Sequence, residues 1–198
     1  MSKSTYFIRT FNVVIKISLI SIILGAFTFV IYFLHTLILK ITFLNTVYPT
    51  LEFHLRNGYL YFAVLTIFSM FIWFVIIIVE LLNRLLNDSL LNLIKSIWKT
   101  FRFRSSLKYR IPNNKSVAVN NTMSNYAEFN KSMNKLVVDL RKDKAIVRLK
   151  IPRGQQAQKL LIDMQQSIRD SLSYSNNSYI FSSPERRKNW IYINGTKR

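Results

Sequence analysis

Two uncharged apolar runs, Ile17 to Leu39 and Asn57 to Val79, constrain this chain more than any other feature. Each is 23 residues long, with Lys16 and Lys40 bracketing the first and Arg56 and Glu80 the second. At about 1.5 Å per helical residue, such a run crosses a hydrocarbon layer of about 30 Å. The sequence therefore reads as a two-span membrane hairpin. Lys3 and Arg9 precede the first run as they would in a secretory signal. Signal cores, however, hold about 7–15 apolar residues, and no small-x-small cleavage pattern follows before Lys40. The first run is a retained anchor.

Charge sets the orientation. The chain of 198 residues carries a formal net charge of +19, and from Glu80 onward 23 Lys and Arg stand against 8 Asp and Glu. Lys3, Arg9 and Lys16 flank the first run, and a dense basic series follows the second; the loop between them holds only Lys40, Arg56 and the acidic Glu52. Basic residues stay on the cytoplasmic side, so both termini are expected there, with a short hairpin loop outside. The expected location is a bacterial inner membrane, the abundance of Lys, Asn, Ile, Phe and Tyr matching an AT-rich genome. Partners suited to such charge are anionic lipid, nucleic acid or an acidic protein.

Within the runs no Gly-x-x-x-Gly pattern occurs, and His35 near the outer end of the first reads as an interfacial residue among aromatic rings. Residues 1–16 form a cytoplasmic N-terminal segment, 17–79 the hairpin, and 80–111 an amphipathic basic helical extension. In that extension Leu82, Leu86, Leu90, Leu93, Ile94, Ile97 and Phe101 recur at a period of about 3.6 residues. Lys95, Trp98, Lys99, Arg102, Arg104, Lys108 and Arg110 crowd its end without an acidic residue, the pattern of a helix contacting anionic lipid or nucleic acid. A stalk packed against identical subunits would show the same stripe, and positive-inside retention alone would account for the charge. Residues 112–133 read as a linker, rich in Asn, Ser and Thr around Pro112 to Asn125.

A small α+β domain is expected over 134–198. Leu136 to Leu140 and Ala145 to Ile151 alternate as a hairpin across Arg141 to Lys144, and Pro152-Arg153-Gly154 breaks it. Gln155 to Ser173 reads as a helix burying Ala157, Leu161, Met164, Ile168 and Leu172; Tyr179 to Ser182 and Asn189 to Asn194 make a second pair. The order is ββαββ. About 65 residues bury a thin core, so a partner or a homo-oligomer is expected.

Catalysis has little to stand on. The chain has no cysteine, its two histidines lie in or beside the runs, and four glycines cannot build a Gly-x-x-x-x-Gly-Lys-Ser/Thr or Gly-x-Gly-x-x-Gly loop. No catalytic residue, metal site or cofactor is expected. Recognition remains: Arg153-Gly154 opens a helix whose free N–H groups suit an anion. Arg186-Arg187-Lys188 beside Trp190, Tyr192 and Tyr179 mixes charge with rings, as single-strand binding surfaces do, although a solvated basic turn beside core aromatics gives the same pattern.

In layout, the runs, the basic extension, Asn134 to Pro152, Gln155 to Ser173 and Trp190-Ile191-Tyr192 resemble the N-terminal membrane part of FtsK-type coupling proteins of Gram-positive conjugative elements. In that family a two-span anchor and a small α+β domain precede a DNA-pumping ATPase. The resemblance implies a non-enzymatic docking protein that recruits a partner, an ATPase motor above all, within a DNA-transfer apparatus. From a different class, the same layout suits a membrane-perturbing defence effector or toxin whose domain senses a small anionic ligand.

Overall fold

The computed structural model describes residues 6–40, 49–109 and 117–198. These group into two compact units, residues 10–80 and a lobe formed by residues 6–9 with 81–198.

The first unit is two long helices, α1 (Tyr6–Lys40) and α2 (Pro49–Asn87), whose end residues belong to the lobe. Both are long and apolar enough to cross a membrane, and only 6 % of the most apolar stretch of either is buried. A helix in the core of this chain would hide such residues. The helices meet along a narrow antiparallel seam. Trp73 Nε1 donates to Ser18 Oγ at 2.6 Å, Ser21 and Ser69 hydroxyls pair at 2.9 Å, and Thr28 meets Thr66 at 3.3 Å. Phe27 stacks near Phe62 and Tyr59 sits against both Tyr32 and His35. Small and hydroxylated residues let the backbones approach, a role often filled by paired glycines.

The lobe is built on one antiparallel sheet. Its elements are α3 (Leu90–Ser106), α4 (Val117–Met133), β1 (Val137–Leu140), β2 (Lys144–Lys150), α5 (Gln155–Asp163), α6 (Gln165–Ser175), β3 (Tyr179–Phe181), β4 (Glu185–Arg187) and β5 (Trp190–Lys197). The sheet order is β1-β2-β5-β3, with β4 also paired to β5. From β1 onward the order is ββααβββ rather than ββαββ. The helix divides at Met164, which keeps right-handed helical angles and passes hydrogen bonds on both sides, so the inward line Ala157, Leu161, Ile168, Leu172 survives the break. The second pair divides too. β3 lies along Gly195–Lys197 of β5 and β4 along Trp190–Tyr192, so two short strands follow one another on the same edge. A two-residue turn at Lys188-Asn189, with Lys188 at φ 54°, closes the β4–β5 hairpin.

Residues 112–133, read as linker, hold α4 from Val117 on. Phe129 and Met133 are fully buried, and from the extension Phe103 and Leu107 join the same core as Leu136, Val138, Ile191 and Ile193. Asn130 fixes the chain after α3, accepting from Tyr109 N at 2.9 Å and donating to Tyr109 O at 2.8 Å. The thin core expected of 134–198 is thickened by segments that precede it.

The 80–111 extension is not one helix. α2 stops at Asn87 and α3 restarts after Ser89, whose side chain accepts from Leu91 N at 3.3 Å. The buried side of α3 is not its apolar stripe. Ser96 and Thr100, both fully buried, line the free edge of β1: Leu140 N donates to Ser96 Oγ at 2.8 Å and Val138 N to Thr100 Oγ1 at 3.0 Å. Arg104 Nε donates to Leu136 O at 2.8 Å, and Lys142 N donates to Asp88 Oδ1 at 2.9 Å. The match follows from geometry: four helix residues advance about 6.0 Å and two strand residues about 6.8 Å, so every fourth helix residue meets every second strand residue. An open strand edge is a template for unwanted pairing, and side chains close this one.

Behind the sheet lies a buried ion cluster. Arg84, 0 % exposed, pairs with Asp139 on β1 and with Asp88, donates to Leu140 O at 2.9 Å, and stands over the Phe7 ring at 5.5 Å. Phe7 and Ile8 are themselves buried, which ties the foot of α1 to the lobe.

Candidate anionic-surface interface

With Ser96, Thr100 and Phe103 turned inward, the opposite face of α3 carries Leu91, Ile94, Trp98 and Phe101, each more than half exposed. Leu82, Leu85 and Leu86 at the end of α2 are equally bare. Large apolar side chains exposed together on one helix face mark an interaction site. Cations rim it: Arg102 lies 5.2 Å and Lys99 5.8 Å from the Trp98 ring, and Arg104 5.7 Å from Phe101. Tryptophan with Lys and Arg beside an apolar stripe is the composition of a helix lying in a headgroup layer.

The basic residues named from sequence divide into two groups. Lys95, Arg102 and Lys108 are exposed with Trp98 and free to meet an anionic surface. Lys99 and Arg104 are committed inward. Lys99 Nζ donates to Ser175 O at 2.6 Å, capping the last turn of α6, and burial pulls its pKa down, with Arg102 adding repulsion. Burial likewise brings Arg104 to about 10, still cationic at neutral pH, while its Nε holds β1. Arg110 lies outside the described residues. Leu91 falls off the stripe that a continuous helix predicts because the break at Ser89 resets the rotational phase; that break does not account for Leu85, which lies within α2.

The Arg153-Gly154 helix start already holds an anion. Glu128 Oε1 accepts from Arg153 N at 2.6 Å and from Gly154 N at 2.8 Å. A Cβ on Gly154 would fall 2.4 Å from Glu128 Oε2, so glycine here makes room for that carboxylate. Lys131, Lys135 and Lys150 line the neighbouring hollow of about 320 Å³, with Glu128 in its wall.

The β4–β5 hairpin places Arg186 and Lys188 in solvent, while Arg187 pairs with Glu185 at 2.7 Å and lies 5.4 Å from the Tyr192 ring. Ile191, Ile193 and Gly195 face the core, leaving Trp190 and Tyr192 half-buried on the opposite side. There Arg148, from β2, stacks 4.1 Å from the Trp190 ring, with Lys150 at 5.4 Å. Burial lowers the Arg148 pKa, countered by Tyr192 and reinforced by Arg9. A ring face covered by the chain's own cations offers no open platform for a nucleobase. Tyr179 is elsewhere, packed on the core with its hydroxyl donating to Arg141 O at 2.7 Å.

No family model, curated protein or solved structure matches the chain. The surface must speak for itself.

Proposed function

We propose that the chain is a non-enzymatic anchor of a bacterial inner membrane: α1 and α2 cross the bilayer, α3 lies in the inner headgroup layer, and the basic lobe docks a partner in the cytoplasm. The observation that carries this is the exposed Leu91, Ile94, Trp98 and Phe101 face, rimmed by Lys95 and Arg102 and following α2 after a two-residue break. Near an anionic leaflet each such cation contributes about 1 kcal/mol. Two crossings are supported by the length and apolar character of α1 and α2. The resemblance to coupling proteins makes a DNA-transfer motor the first partner class to test.

A nitroxide on Ile94→Cys, in the full chain reconstituted into vesicles containing phosphatidylglycerol, tests the headgroup placement. The label should be shielded from a water-soluble nickel relaxant and exposed to oxygen. Free access of nickel to the label would refute an α3 that lies on lipid. Docking is tested separately by extraction in mild detergent from cells carrying a conjugative element: a motor ATPase should co-purify, and its absence from purified complexes would remove it as the partner.

A further inference from the structure

Four lysines from three parts of the chain line one hollow of the lobe. Lys95 and Lys99 come from α3, Lys142 from the β1–β2 turn and Lys197 from the end of β5, around a cavity of about 380 Å³. No carboxylate is among the described residues that line it. Asp88 stands nearest in the chain's bonding pattern, but its Oδ1 is engaged by Asn92 Nδ2 and Lys142 N, on the side that closes the sheet edge. Like charges in a concave wall focus a positive field, tempered here by Asp88, Asp139 and Asp143, whose carboxylates act on Tyr179 in the lining.

The frame around these lysines is fixed by backbone bonds. Lys197 N donates to Asp143 O at 3.1 Å, Lys142 N to Asp88, and Tyr179 N to Asn176 O at 3.0 Å. Asn176 is itself buried, its amide donating to Leu172 O at 3.2 Å. The cavity is thus a feature of the fold, not a chance meeting of long side chains. Its volume falls within the range of small-molecule sites, about 300–1,000 Å³. Leu140 and the Tyr179 ring are the apolar and aromatic residues of the lining, beside the methylene stems of the lysines.

We propose that this cavity binds a small polyanion bearing two or more phosphate groups on a hydrophilic frame, held by Lys95, Lys142 and Lys197 with Lys99 in the wall. Lysine suits the task, since each ammonium donates three hydrogen bonds without demanding a planar bidentate partner. A free polyphosphate and the double-phosphate headgroup of cardiolipin share this chemistry. The site shares Lys95 with the α3 face, whereas Lys142 and Lys197 belong to it alone, so variants at those two positions test it without touching α3.

Calorimetry on the full chain in phosphatidylcholine nanodiscs, with inorganic triphosphate as titrant, tests the free source. Co-purified lipid after incorporation into mixed phosphatidylcholine and cardiolipin nanodiscs tests the headgroup source. Saturable triphosphate binding that weakens about tenfold or more in Lys142→Gln/Lys197→Gln, or cardiolipin enrichment lost in that variant, supports the site and says which source fills it. Lys144→Gln/Lys159→Gln removes the same charge from exposed positions outside the cavity and should leave both readouts unchanged. Absence of binding in both systems, or an equal loss in the control pair, overturns the proposal; circular dichroism on each variant verifies that the lobe stays folded.

Discussion

In the long-helix pair, Ser18, Ser21 and Thr28 meet Trp73, Ser69 and Thr66 side chain to side chain, whereas in the lobe Ser96 and Thr100 direct their hydroxyls to the backbone of Leu140 and Val138. The residue types are alike and the partners are not. Along α1 and α2 the backbone is satisfied within each helix, so a hydroxyl can only seek another side chain or its own preceding turn. β1 is an edge strand whose outward N–H and C=O groups would otherwise be buried without partners, and there a hydroxyl is worth more. Hydrogen bonds between hydroxyls in the first unit therefore tune an association, while those in the lobe are a condition of its fold.

The largest effect should come from the ion cluster, the lobe's extreme case of a side chain serving the β1 edge. Arg84→Met takes the Arg84 guanidinium from the buried Asp139 and removes the bond to Leu140 O, at a cost of about 3–5 kcal/mol in chemical unfolding of the lobe. A loss below 1 kcal/mol would mean that the cluster is not holding β1. Next, Thr100→Val keeps the shape of the side chain and strands the Val138 N–H, costing about 1–3 kcal/mol. Hydrogen exchange at Val138 should accelerate while exchange in β5 changes far less.

Acid gives a smaller effect. Burial pushes the Asp88 carboxyl up, but the bonds from Asn92, Arg84 and Lys142 N outweigh it and hold the group below the usual carboxylate range. A folded pKa below the unfolded value, about 3.9, means a contribution fully present above that pH and lost as pH falls through the folded value. Thermal melts should therefore be level from pH 7 to 5 and drop below about 4, with Asp88→Asn flattening that drop. Smallest of all, Ser21→Ala in the long-helix seam should cost about 0.6 kcal/mol in a mixed-micelle unfolding assay. A loss as large as that of Thr100→Val would erase the contrast between the two regions.

Periodicity made much of this legible. The two apolar runs appear as long helices, the hairpin turn falls at Arg141 to Lys144, and the Ala157 to Leu172 stripe is the buried one. Composition misled where burial overrides it. Val117 to Met133 looks like a linker because Asn and Ser dominate it, yet Phe129 and Met133 alone are enough to seat a helix on the core. On α3 the buried face is polar because its neighbour is a strand edge, a fact fixed by tertiary pairing and invisible to a hydrophobic pattern. Glu128 and Gly154, or Lys142 and Lys197, are brought together by the same long-range closure, and no spacing in the chain announces them.

Sidedness is the most direct test of the central claim, a bilayer crossed twice with the basic lobe inside. The chain has no native cysteine, so Ser183→Cys, in the exposed segment before β4, supplies a single thiol. A membrane-impermeant maleimide should label it in inverted vesicles and leave it untouched in intact cells; labelling from outside intact cells would contradict the account.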